Sequence, residues 1–164
     1  MRILICDDDT LIIEQLKKYI ESYFESNHLK CPELVSFTSG EALLTDKGEK
    51  DIVFLDIEMP GMNGIYVGNE LKKANRNVIV FVVTSYSEYL DEAMRFHVFR
   101  YLSKPLDKQR FFRNLKDCLS LLQFHYTQNS CGNKTGGIFV SCFADYCHRS
   151  SGAKSNCTYC PSGL

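Results

Sequence analysis

The stretch that decides the fold is Asp51-Ile52-Val53-Phe54-Leu55-Asp56-Ile57-Glu58-Met59-Pro60-Gly61-Met62-Asn63-Gly64. Its apolar run ends abruptly on a carboxylate, and a turn rich in Pro, Gly and Asn follows. A strand covered on both faces reads as such a run, and Pro and Gly punctuate its end. Asp56 therefore falls at the carboxyl end of a central strand, the edge where open parallel sheets bind their ligands.

Upstream, residues 2–6 are a short run rich in Ile and Leu that ends in Asp7-Asp8-Asp9-Thr10. This reads as a strand, a loop and a helix start. Leu11, Ile12, Leu16, Tyr19, Ile20 and Tyr23 follow at spacings of three and four, which predicts one apolar face of a helix over 11–24. Asp9 or Thr10 can cap it. Residues 34–37 predict a second strand, and 39–44 a short helix opened by Ser39-Gly40-Glu41.

Downstream, 63–74 predicts a helix with Ile65, Val67 and Leu71 facing in. Residues 78–83 are the most continuously apolar strand, hence expected to be central, and Thr84-Ser85 follow. A helix is expected over 88–96 and a fifth strand over 99–102, leading into Ser103-Lys104-Pro105. A last helix is expected over 107–124, with Phe111, Phe112, Leu115, Leu119 and Leu122 on one face. Such alternation of strand and helix predicts an α/β fold, a doubly wound parallel sheet with right-handed crossovers.

Composition sets the outer bounds. The 164 residues suffice for one ordinary domain with its own core. At 45% hydrophobic, 24% charged and net charge -1, the chain shows no global basic field toward nucleic acid or membrane. The apolar runs are too short to span a bilayer. No cleavable leader opens the sequence, so a cytoplasmic protein is expected. Without a leader, the eight cysteines are not expected to form a disulfide framework. Cys6, Cys31 and Cys118 are scattered, whereas Cys131, Cys142, Cys147, Cys157 and Cys160 crowd the end, so the chain divides into two unlike parts.

The strand ends carry the chemistry. Strand one leads into Asp7 and Asp8, strand three into Asp56, strand four into Thr84 and strand five into Lys104. In a parallel sheet these ends share one edge. Clustered carboxylates repel unless a cation joins them, and hard oxygen ligands suit Mg²⁺. An ionised Asp56 can then attack phosphorus as a carboxylate nucleophile. A metal, an ammonium and a hydroxyl would stabilise charge on the transferring oxygens.

In that order, Asp7-Asp8, Asp56-Ile-Glu-Met-Pro-Gly-Met-Asn-Gly64, Thr84-Ser85 and Lys104-Pro105 resemble the receiver domain of bacterial response regulators over residues 1–124. The resemblance implies a flavodoxin-like (βα)5 fold with Asp56 as phosphoacceptor. It implies Mg²⁺ held by Asp8 directly, by Asp7 mostly through water, by Asp56 and by the backbone carbonyl of Glu58. It further implies that Thr84 swings toward the phosphoryl group, that Lys104 pairs with it and that Tyr101 is the aromatic switch. Pro105 follows Lys104, as in the family, where that bond is often cis. The implied partner is a sensor histidine kinase. Thr84-Ser-Tyr-Ser-Glu-Tyr-Leu-Asp-Glu-Ala-Met94 and Phe99-Arg-Tyr-Leu-Ser-Lys-Pro105 resemble more narrowly the regulators with a LytTR-type DNA-binding domain. In the family, the face made by the helix 88–96, the fifth strand and the last helix often pairs active receivers. Here it carries Arg95, Arg100, Asp107, Lys108 and Arg110, which read equally as a solvated surface or as a homodimer face.

Residues 125–164 read as a linker and an irregular, Cys-rich, poorly structured tail, in which no DNA-binding domain is legible. Residues 136–140 suggest one strand. When plausible codons for 137–163 are shifted by one nucleotide, the tail reads as an alternating, strand-like text resembling the opening of a LytTR-type domain. The tail is thus expected to be a remnant or an out-of-frame version of that domain.

Other readings stand beside these. Asp7-Asp8-Asp9 alone reads as a solvated helix start, and Tyr101 alone as plain core. Cys157-Thr-Tyr-Cys160, with Cys147-His148 upstream, has one tight ligand pair of a zinc module, where a proper site needs two. An aspartyl-nucleophile phosphatase uses a similar sheet but places a second Asp two residues after the nucleophile, where this chain has Glu58. The expected role is signal reception, without enzymatic turnover of a substrate, originally coupled to transcription.

Overall fold

The apolar runs form β1 (Arg2–Cys6), β2 (Glu33–Phe37), β3 (Ile52–Leu55), β4 (Ile79–Thr84) and β5 (Arg100–Ser103). They pair in the order β2-β1-β3-β4-β5, every pair parallel. The structure, a computed structural model, describes residues 1–85 and 97–130. The expected helix 88–96, the tail strand, the zinc reading and the out-of-frame domain lie outside the described residues.

Alternation along the strands explains why the runs are continuously apolar: both faces are covered. Ile3, Ile5, Ile52, Phe54, Ile79, Phe81 and Val83 point to one side. They pack there with Ile13, Leu16 and Ile20 of α1 (Thr10–Ser26) and with Phe111, Leu115 and Leu119 of α4 (Lys108–Ser130). Leu4, Cys6, Val53, Leu55, Val80 and Val82 point to the other side. They meet Leu43 of α2 (Gly40–Thr45) and Val67 and Leu71 of α3 (Gly64–Ala74). Register places Phe54 opposite Phe81. Their rings stack at 4.7 Å, and Phe111 reaches Phe54 at 5.4 Å. Truncating such a buried ring costs about 3–5 kcal/mol, so this cluster ties α4 to the sheet centre.

Side-chain oxygens start the helices where expected. Asp9 accepts from Leu11 N, Ser39 from Ala42 N, Asn63 from Ile65 N and Asp107 from Arg110 N. Each satisfies a backbone donor that the first helical turn leaves open.

Several details differ from the sequence reading. Leu11 is 72% exposed, and Ile13 takes the buried position with Leu16, Ile20, Tyr23 and Phe24. Three adjacent apolar residues, 11–13, leave the phase of the helix ambiguous, and the sheet selects among them. β4 is interior but not the middle strand; β3 is, because the chain crosses to opposite sides of β1. β4 and β5 are each displaced by one residue, to Ile79–Thr84 and Arg100–Ser103. The last helix runs on to Ser130 rather than stopping at 124.

The order β2-β1-β3 creates the reversal point of a doubly wound sheet. In such sheets the ligand crevice lies at this point, here beyond the carboxyl ends of β1 and β3.

Candidate functional site

The crevice is lined by the residues that follow those two strands. Asp7 continues β1, its N–H donating to Phe37 O at 3.2 Å. Asp56 continues β3, its N–H donating to Cys6 O at 2.9 Å. The backbone ladder therefore fixes both Cα positions before any side-chain contact is made. Asp7 is 1% exposed and Asp56 5%, whereas Asp8 faces solvent. One oxygen from each of Asp7, Asp8 and Asp56 lies within 4.8 Å of the others.

Lys104 enters from the end of β5. Its N–H donates to Thr84 O at 2.9 Å, and the Lys104–Pro105 bond is cis. Its ammonium reaches Asp56 Oδ2 at 2.7 Å and Asp7 Oδ2 at 2.8 Å. The remaining oxygens are held by backbone: Ile57 N donates to Asp56 Oδ1 at 2.7 Å, and Asp9 N to Asp7 Oδ1 at 3.0 Å. Thr84, 1% exposed, closes β4 beside this group. Tyr101 is half-buried on β5, against the core face shared with α2 and α3.

The electrostatics follow from burial. Burial pushes the Asp7 carboxyl above its usual range, and the Asp56 charge adds to that; Lys104 and the Asp9 N–H pull the other way without cancelling it. For Lys104, burial is the largest single effect and lowers the ammonium. The hydrogen bond to Asp56, the contact with Asp7 and both charges together outweigh it and leave Lys104 raised.

The donor set fits a hard divalent cation. When ionised, three carboxylates against one ammonium leave a formal charge that one such ion balances. Asp7 Oδ2 is buried and receives no well-aligned hydrogen bond, Lys104 being an ionic neighbour only. A buried carboxylate oxygen of this kind can hold a water of a hydrated cation, and an all-oxygen set suits Mg²⁺ rather than a thiophilic metal.

The response regulator receiver domain family matches residues 3–116, a span that holds every residue just described. The chain belongs to that family. An uncharacterized response regulatory protein of Yersinia pestis is 36% identical over 118 residues, covering 70% of this chain and 47% of that protein. The sensory transduction protein LytT of Bacillus anthracis is 30% identical over 116 residues, covering 71% and 46%. The response regulator TrrA of Thermotoga maritima, solved in complex with Mg²⁺ and beryllium fluoride, is 28% identical with a TM-score of 0.62. That match covers 71% of this chain and 97% of TrrA. The chain spans about half the length of the curated relatives it matches.

The receiver fold is thus flavodoxin-like, as the family resemblance implied. The family match takes in the whole constellation and does not favour the phosphatase reading. Among the described residues, no helix is long and apolar enough to cross a membrane.

The structure brings Asp7, Asp8, Asp56 and Lys104 together and sets Thr84 and Tyr101 on the adjoining strands. Glu58 is exposed in the loop after Asp56. Two contacts escaped the sequence reading. Asp9, expected only as a cap of α1, also pins Asp7 with its N–H. Glu41 Oε1 accepts from Met62 N at 3.1 Å, across from α2 to the loop behind Asp56. Partners 21 positions apart leave no periodic trace.

Proposed function

We propose that this receiver takes a phosphoryl group onto Asp56 from the phosphohistidine of a sensor histidine kinase. The observation that carries the reading is the Lys104 ammonium bridging Asp56 Oδ2 and Asp7 Oδ2. An Asp56 carboxylate oxygen attacks phosphorus, and the phosphorus–nitrogen bond to the kinase imidazole breaks. The imidazole nitrogen keeps the electron pair and takes a proton from solvent. Such transfers are governed by position and charge more than by covalent chemistry.

Asp8, Asp56 and the Glu58 carbonyl would hold Mg²⁺, with Asp7 acting mostly through water. When bound there, Mg²⁺ supplies charge for the transferring oxygens. Lys104 exchanges part of its contact with Asp56 for a phosphoryl oxygen. The Thr84 hydroxyl moves toward another oxygen, and Tyr101 turns inward as Thr84 vacates space.

DNA binding, expected of LytTR-type regulators, is assigned to sequence outside the receiver, so the proposal for residues 1–124 is signal reception. Pairing of receivers is proposed on the face with exposed Arg100, Asp107, Lys108 and Arg110, where Arg100 meets Asp117 at 3.7 Å.

The test is incubation of the purified chain with acetyl phosphate and Mg²⁺, read by intact mass. The wild type gains one phosphoryl group and Asp56→Asn gains none. An unmodified wild type, or equal modification of Asp56→Ala, overturns the reading.

A further inference from the structure

The loop between Asp56 and α3 is pinned at both limbs. At the near limb, Gly64 N donates to Ile57 O at 2.8 Å and closes the loop's base. Met59 is buried, its sulfur 3.6 Å from Cys6 Sγ. The far limb, Gly61-Met62, is held from another element altogether. Glu41, in the first turn of α2, accepts the Met62 N–H with Oε1 at 3.1 Å.

The fit around that carboxylate is close. Gly61 has φ of 89°, a conformation that suits glycine. A Cβ at Gly61 would stand 2.7 Å from the same Oε1. Nor is Glu41 free to drift. A Cβ at its neighbour Gly40 would stand 2.5 Å from Val67 Cγ2 and 3.2 Å from Met62 Cβ, so the start of α2 is pressed against α3 and the loop. Two glycines thus allow one carboxylate to grip one backbone N–H.

We propose that Glu41 is a positioning residue: by holding Met62, it fixes the turn whose Glu58 carbonyl completes the Mg²⁺ site. This rests on the receiver reading above. Glu41 touches neither the metal nor the phosphoryl group; it sets where the loop's carbonyl stands. Partners that orient metal ligands typically change metal affinity by 10–100-fold when removed. Removing the brace should therefore raise the Mg²⁺ requirement and spare the chemistry once Mg²⁺ is saturating.

The test compares wild type, Glu41→Ala, Glu41→Gln and Gly61→Ala as full chains. Acetyl phosphate modification is followed against Mg²⁺ concentration, and exchange of the Met62 amide is followed separately. Glu41→Ala is expected to raise the half-saturating Mg²⁺ about tenfold, with the rate at saturating Mg²⁺ close to wild type. Its Met62 amide exchanges faster. Glu41→Gln keeps an acceptor oxygen and restores both. Gly61→Ala crowds the carboxylate from the other side and shifts Mg²⁺ dependence in the same direction. If wild type is modified but Glu41→Ala keeps its Mg²⁺ dependence, or if Glu41→Gln fails to restore it, the proposal is overturned. If wild type is not modified at all, the receiver reading fails. The Met62 amide then decides the brace by itself: unchanged exchange in Glu41→Ala rejects it, and faster exchange supports it.

Discussion

Gly64 is packed so closely on Asp56 that a Cβ at position 64 would overlap the Asp56 carbonyl oxygen. It would also stand 2.7 Å from Ile57 Cα and 2.9 Å from the Asp56 carbonyl carbon. All three neighbours are backbone, which cannot rotate away as a side chain can. Gly64→Ala is therefore expected to push α3 off the end of β3. We expect a loss of about 1–3 kcal/mol in urea unfolding and slower modification of Asp56. Wild-type stability in the variant would show that the loop relaxes without cost.

Asp7 gives a prediction of opposite sign. Its carboxyl is buried beside Asp56, and burial raises its pKa. A carboxyl raised on folding binds its proton more tightly in the native state. Ionising it costs stability, and the cost grows as pH rises from the unfolded value, about 3.9, through the higher folded value. Asp7→Asn should therefore stabilise the Mg²⁺-free protein at neutral pH, Lys104 keeping Asp56 as its partner. The gain should fade on acidification, as the wild-type carboxyl takes up its proton. Mg²⁺ should stabilise wild type more than the variant, since it binds the folded state through this set. Paired urea titrations at neutral and acid pH, with and without Mg²⁺, measure all three.

The contrast between Asp56 and Glu41 shows what the sequence made legible. Asp56, Asp7, Thr84 and Lys104 each follow an apolar run. A run locates a strand, a strand end locates an edge, and a parallel sheet gathers its edges, so residues distant in sequence meet without any contact being known. Glu41 lies inside a short helix, and its acceptor role depends on where a loop 21 positions away turns. No local period encodes that. Arg2 and Asp46 are illegible for the same reason, being paired across 44 positions. Leu11 fails differently: the local signal is present but degenerate, and only packing chooses between Leu11 and Ile13.

The described cysteines should react in an order set by burial. Cys6 is 1% exposed, and burial, aided by the charges of Asp7 and Asp56, pushes its thiol up to about 12. Cys118 is fully buried and pushed up for the same first reason. Cys31 is exposed. The thiolate is the nucleophile, so access and ionisation act together. Alkylation of the native protein at mildly alkaline pH, followed by peptide mass spectrometry, should label Cys31 well ahead of Cys6 and Cys118. Those two should label only with denaturant. Rapid native labelling of Cys6 would mean that the crevice floor opens to solvent.

The far edge of the sheet supplies a control that separates stability from chemistry. Arg2 opens β1, the strand whose other end leads to Asp7. Its guanidinium grips Asp46 with both forks, Nη1 to Oδ2 at 2.7 Å and Nη2 to Oδ1 at 3.0 Å. Lys50 joins Asp46 Oδ2 at 3.2 Å. The hydrogen bond from Arg2 is the main reason the Asp46 carboxyl lies well below its usual range; burial opposes it and Lys50 assists. A pKa depressed on folding stabilises fully above the unfolded value, about 3.9, and the contribution is lost as pH falls through the folded value. Asp46→Asn should cost about 1 kcal/mol at neutral pH, and its difference from wild type should narrow on acidification. Because Asp46 sits at the edge opposite the crevice, the rate and Mg²⁺ dependence of Asp56 modification should match wild type. A variant that unfolds earlier yet accepts phosphate normally would show that the acidic crevice is organised locally, by Lys104 and the strand ends. A slowed transfer would place the Arg2 cluster in communication with it.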